Sequence, residues 1–103
     1  MNQAESLFRK IGKGTRGVKE GKMFGCLCLK IPKGKSVAML WKGELVVKLP
    51  KKELEKALLL PGTKYFEPME NRPMKEWVQV PVKHSGQWQI LIGQSINYVN
   101  SMK

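Results

Sequence analysis

The sequence contains no Asp, and only one His and two Cys among its 103 residues. Each shortage removes chemistry. Without Asp, no Ser-His-Asp triad can be assembled and no Asp-centred magnesium site exists. One His and a single Cys-x-Cys cannot supply the four Cys or His ligands of a structural zinc site within one chain. Acids of any kind are scarce. All 8 are Glu, set against 19 Lys and Arg, for a formal charge of +11 and a pI of about 9.9. Long hydrophobic runs are missing too, none approaching the roughly 20 apolar residues that span a bilayer. The N-terminal Asn2, Gln3 and Glu5 do not follow a signal-peptide pattern.

What remains is an ordinary globular content of 42% hydrophobic residues. That suffices for one domain spanning residues 1–103 with one core. The balance predicts a cytoplasmic, reduced protein that binds rather than catalyses, with no catalytic residue, metal or cofactor and no membrane partner.

Periodicity orders the elements. Leu7, Phe8 and Ile11 are at helical spacing within residues 4–11, and Gly12 and Gly14 stop that helix. Residues 13–21 read as a basic, Gly-rich connection. Residues 23–31 read as a strand apolar on both faces, at Phe24, Cys26, Leu27, Cys28 and Leu29. Pro32, Lys33 and Gly34 make a turn. A second strand covers residues 36–41, and Lys42-Gly43 is a two-residue hairpin loop, since Gly supplies the positive φ of a primed turn. Residues 44–49 alternate, with Leu45, Val47 and Leu49 on one side. A second helix is expected over residues 51–60, behind Pro50. Two short strands are expected at 64–67 and 76–80, flanking a Pro-bounded excursion at 68–75. A last helix runs over about residues 87–100, with Ser85 available as its cap. The fold class is therefore α+β, in the order α-β(3)-α-β(2)-α, with an antiparallel sheet covered by helices.

Several segments in this order resemble the TfoX (Sxy) N-terminal domain-like family. Lys22-Met23-Phe24-Gly25 is similar to its (R/K)-M-F-G segment. Residues 34–41 resemble its second strand and residues 43–49 its third, with Lys48 in the place of the family's Lys. Residues 62–66, followed by Arg72-Pro73-Met74-Lys75-Glu76-Trp77, resemble a segment of small stand-alone members. The resemblance covers roughly residues 3 to 100 and implies the same α-β(3)-α-β(2)-α fold. The family is named for a bacterial regulator of competence genes, in which a helical C-terminal domain follows this one. It implies no catalytic residues.

Candidate sites are of two kinds. Arg9, Lys13, Arg16, Lys19 and Lys22 belong to a stretch with little Glu, and they could contact a polyanion. The alternative is plain solvation, favoured by 16 Lys against 3 Arg, because bidentate phosphate and base recognition prefers Arg. Nucleic-acid binding is accordingly expected to be weak. The glycines at 12, 14 and 17 precede the first strand, whereas a phosphate loop follows one. Protein contacts, with a partner or in a homodimer, are the leading expectation. In the segment Arg72, Met74, Lys75 and Trp77, beside a proline, Arg, Met and Trp are interface-enriched types, although Trp77 could equally pack into the core. Trp88 and Tyr98 lie in a stretch, residues 85–102, without a single charged residue. Charge depletion of this kind marks interface cores, or a helix tucked against its own sheet. Cys26 and Cys28 point to one face of a strand and are expected to be reduced core thiols. His84 is expected at a helix entrance, without a carboxylate partner.

Overall fold

The computed structural model describes residues 3–23, 25–69 and 72–101; the side chains of residues 23, 68, 69 and 72–75 lie outside that description. The elements are α1 (Gln3–Gly14), β1 (Lys19–Met23), β2 (Cys26–Lys30), β3 (Ser36–Trp41), β4 (Glu44–Lys48), α2 (Lys51–Leu58), β5 (Lys64–Met69), β6 (Arg72–Val80), a 3-10 turn (Val82–His84) and α3 (Ser85–Ser101). The six strands form one antiparallel sheet in the order β1-β2-β3-β4-β6-β5. The α+β class and the helix-covered antiparallel sheet are as the sequence predicts.

The expected meander is β2-β3-β4. Its tight turn is set by Lys42 and Gly43, both at positive φ (51° and 80°), between the paired residues Trp41 and Glu44. Two positive values define the primed turn whose twist matches the flanking strands.

Two expectations need correction. The end of the basic connection and the start of the expected strand at 23–31 form an additional edge strand, Lys19–Met23, pairing with β2, which is thereby shortened to Cys26–Lys30. The excursion at 68–75 is likewise absorbed into a longer hairpin, closed by the pair Met69 and Arg72 and carrying register irregularities near Phe66. Both prolines are tolerable there. Pro68 is on the edge strand β5, and Pro73 precedes the part of β6 that pairs with β4, which begins at Trp77.

All three helices cover one face. α1 contacts β1 and β3, α3 contacts β3 and β4, and α2 contacts β6. Their apolar stripes bury Phe8, Leu54, Trp88 and Ile92 against Leu29, Leu45, Val47, Val78 and Val80. Ser95 Oγ donates to the Val37 carbonyl at 2.8 Å, pinning α3 to the start of β3.

The other face holds a second, smaller core of Cys28, Met39, Val46, Phe66 and Trp77, with Cys26 and Trp41 beside it. No helix covers it. β3 and β5 are three places apart, about 14 Å in a flat sheet, yet the rings of Trp41 and Phe66 meet edge to face at 5.2 Å. The sheet thus curls toward this face. Lys42 and Lys48 lie over the rings of Trp41 and Trp77 at 5.7 and 6.0 Å, so their stems add cover while the ammonium groups stay near solvent.

Candidate functional site

The basic residues gather at the β1 end. Burial of Ala4, Phe8 and Ile11 turns Arg9, Lys10 and Lys13 outward on α1. The helix lies close to the sheet at Gly12, where a Cβ would stand 2.7 Å from Leu29 Cδ2. Arg16 follows in the connection, and Lys19 and Lys22 lie on the edge strand. All five expected residues, Arg9, Lys13, Arg16, Lys19 and Lys22, are exposed on these adjoining elements. Arg9 is paired with Glu5 at 3.6 Å.

The register adds a residue that the sequence reading missed. Lys30 stands directly opposite Lys19, and like charges in that position repel. Recognising residues 19–30 as a hairpin around Gly25 would have revealed the pair, but the polar composition of β1 hides it.

The α2 side of the helix layer is different. Leu59 and Ile90 are 82% and 56% exposed. They lie off the buried stripes of their segments, a signal the sequence reading did not use. Between α2 and α3 runs a cleft lined by Ala57, Leu60, Ile90, Leu91, Gln87 and Gln94, with Glu53 and Lys56 at its α2 side. Nearer the C-terminal end of α3, a second cleft is lined by Leu49, Lys51, Glu55, Tyr65, Glu76 and Tyr98. There the Tyr98 hydroxyl donates to Glu76 Oε1 at 2.8 Å. That hydrogen bond, then desolvation and the carboxylate charge, raises the Tyr98 pKa above the usual phenol value. Lys48 Nζ is 3.9 Å from the other Glu76 oxygen.

The expected contact residues divide. Trp88 is fully buried under α3 and Trp77 is buried in the curled face, so neither offers surface to a partner. Trp88 sits on the same stripe as Leu91 and Ile92; the uncharged surface of α3 is carried by Gln87, Gln89, Asn97 and Asn100 instead. Tyr98 is half-buried and engaged with Glu76. The side chains of Arg72, Met74 and Lys75 lie outside the described residues, as does Phe24.

Cys26 and Cys28 form no disulfide and lie on the curled face, Cys28 fully buried and within 3.7 Å of Ser36 Oγ. His84 lies in the turn before α3 with Nε2 2.7 Å from the Pro61 carbonyl, which ties the end of the α2 segment to the start of α3. Among the described residues no three His, Cys or Glu side chains are grouped to hold a metal. No helix among them is long and apolar enough to cross a membrane. Comparisons with protein-family models, with curated proteins and with solved structures found no match to this chain.

Proposed function

We propose that this chain is a non-enzymatic, cytoplasmic contact domain that self-associates through the outer surface of α3 and the adjoining Leu59 at the end of α2. A regulatory role fits the resemblance to the TfoX N-terminal domain-like family. The observation that carries the reading is the uncharged outer surface of α3, flanked by exposed Ile90 and Leu59, on a chain of net charge +11. An acidic partner gains nothing from a charge-free surface on a basic protein. A second copy does, because elsewhere two equally basic surfaces repel one another on approach. The exposed apolar side chains supply the burial that drives association once repulsion is avoided.

Solution mass by light scattering, across a concentration series, tests the reading. The expected result is a species of twice the 11.7 kDa chain mass at high concentration. Ile90→Lys combined with Leu59→Lys returns it to the single-chain mass with an unchanged far-ultraviolet spectrum. A single-chain mass for the parent protein at every concentration overturns it.

A further inference from the structure

We infer that the β1 end of the sheet is a binding site for the phosphate backbone of duplex nucleic acid. The site wraps the β1 edge: Lys10 and Lys13 on α1 and Lys22 on β1 lie on the helix-covered side, Lys19 on β1 and Lys30 on β2 lie on the other side, and Arg16 lies in the connection. It lies at the opposite end of the sheet from β5, on different elements from the α2–α3 face.

Two observations converge. The first is uncompensated charge. Of the nine basic residues from Arg9 to Lys35, only Arg9 is ion-paired among the described residues, and Glu5 and Glu20 are the only acids of that end of the sequence. The second is the arrangement of Lys30. Its register partner is Lys19, and its stem passes the bare Cα of Gly21, where a Cβ would meet Lys30 Cε at 3.3 Å and Cδ at 3.4 Å. Glycine inside a strand weakens the strand. Here it makes room for a second cation beside an exposed one, a repulsive arrangement that a bound polyanion relieves.

The ligand that fits such a row of cations is the polyanion of highest linear charge. A duplex carries one phosphate charge per about 1.7 Å of axis, twice the density of a single strand. Lysine, a point charge on a flexible stem, serves phosphate contact without base readout, so binding is sequence-blind.

The salt dependence gives the test. Each phosphate neutralised contributes about −0.9 to the slope of log K against log salt, so about four contacts give a slope near −3.6, and a threefold rise in salt lowers K about 50-fold. Anisotropy of a labelled random-sequence duplex measures this at low salt. Lys13→Gln, Arg16→Gln and Lys19→Gln together should reduce the slope by about 2.7 units. The charge-matched control, Lys42→Gln in the β3–β4 turn, Lys64→Gln on β5 and Lys83→Gln in the turn before α3, should leave it unchanged. Both sets replace exposed side chains, and thermal melting checks that each variant is folded. Equal losses in the two variants, or a parent slope shallower than about −1, overturn the site. Tighter binding of the equivalent single strand, or of polyglutamate, overturns the duplex assignment.

Discussion

At the β1 end of the sheet, Lys10, Lys13, Arg16, Lys19 and Lys22 are exposed and form no ion pair among the described residues. On the α2 side the pattern reverses. Glu53, Glu55 and Glu76 share the clefts with Lys51 and Lys56, while Leu59 and Ile90 stand in water. One end leaves charge unsatisfied and the other leaves apolar surface, although both rest on the same helix-covered core. The two deficits attract different things, polyanions in one case and uncharged protein surface in the other. A chain of this size can hold both because antiparallel strands separate the ends by the full width of the sheet.

The largest expected effect tests whether the ends share one core. Phe8 is fully buried beneath the outward-facing cations of α1. Phe8→Ala should cost about 3–5 kcal/mol, the usual range for a buried Phe. Urea denaturation followed by both Trp fluorescence and far-ultraviolet dichroism should move together to a lower midpoint. A loss below about 1 kcal/mol, or two separated transitions, would show that α1 and its charges are not fixed to the core.

A smaller effect is expected from the pair at the sheet edge. Lys19→Glu turns a like-charge cross-strand pair with Lys30 into an opposite-charge one, which should stabilise the fold by about 0.2–1 kcal/mol. Lys30→Gln in the same background should abolish most of that gain. Added neutral salt should stabilise the parent protein by screening its repulsion, and should do less for the Lys19→Glu variant. Equal salt responses would mean that Lys19 and Lys30 do not face each other.

How much of this was legible depended on whether a signal was local. The β2-β3-β4 meander was legible because alternation and the Lys42-Gly43 turn lie within a few residues of one another. β1 was not. Its Lys19-Glu20-Gly21-Lys22 composition opposes strand formation, and such composition is tolerated on an edge, where Lys also discourages pairing with another chain. The prolines at 68 and 73 suggested a loop for a similar reason, since a sequence does not announce which strand positions lack a neighbour. The five basic residues were legible as a cluster, but Lys30 joins them only through register. Trp77 could be placed on a strand face by alternation. That the face is covered follows from the curl that brings Trp41 to Phe66, a tertiary effect. For Trp88, the lack of charge around it was informative about the helix and misleading about the residue.

The smallest expected effect concerns Tyr98, at the end of the α2–α3 face. Its hydroxyl donates to Glu76, and Lys51, Glu55 and Tyr65 line the same cleft. The hydrogen bond raises the Tyr98 pKa in the folded chain above its unfolded value, because losing the proton would set a phenolate against the Glu76 carboxylate. The folded state therefore holds this proton more tightly than the unfolded state does. Its contribution is fully present below about pH 10, the ordinary phenol pKa, and is lost as pH rises through the higher folded value. Tyr98→Phe should change stability at neutral pH by no more than about 0.5 kcal/mol, as for most changes at the surface. The informative quantity is the difference in stability between parent and variant as a function of pH. Groups common to both proteins largely cancel in that difference. It should be flat from neutral to about pH 10 and should then move in the variant's favour. A difference that stays flat throughout the alkaline limb would mean that Tyr98 and Glu76 are not hydrogen-bonded in solution, leaving that end of the cleft open rather than closed by the pair.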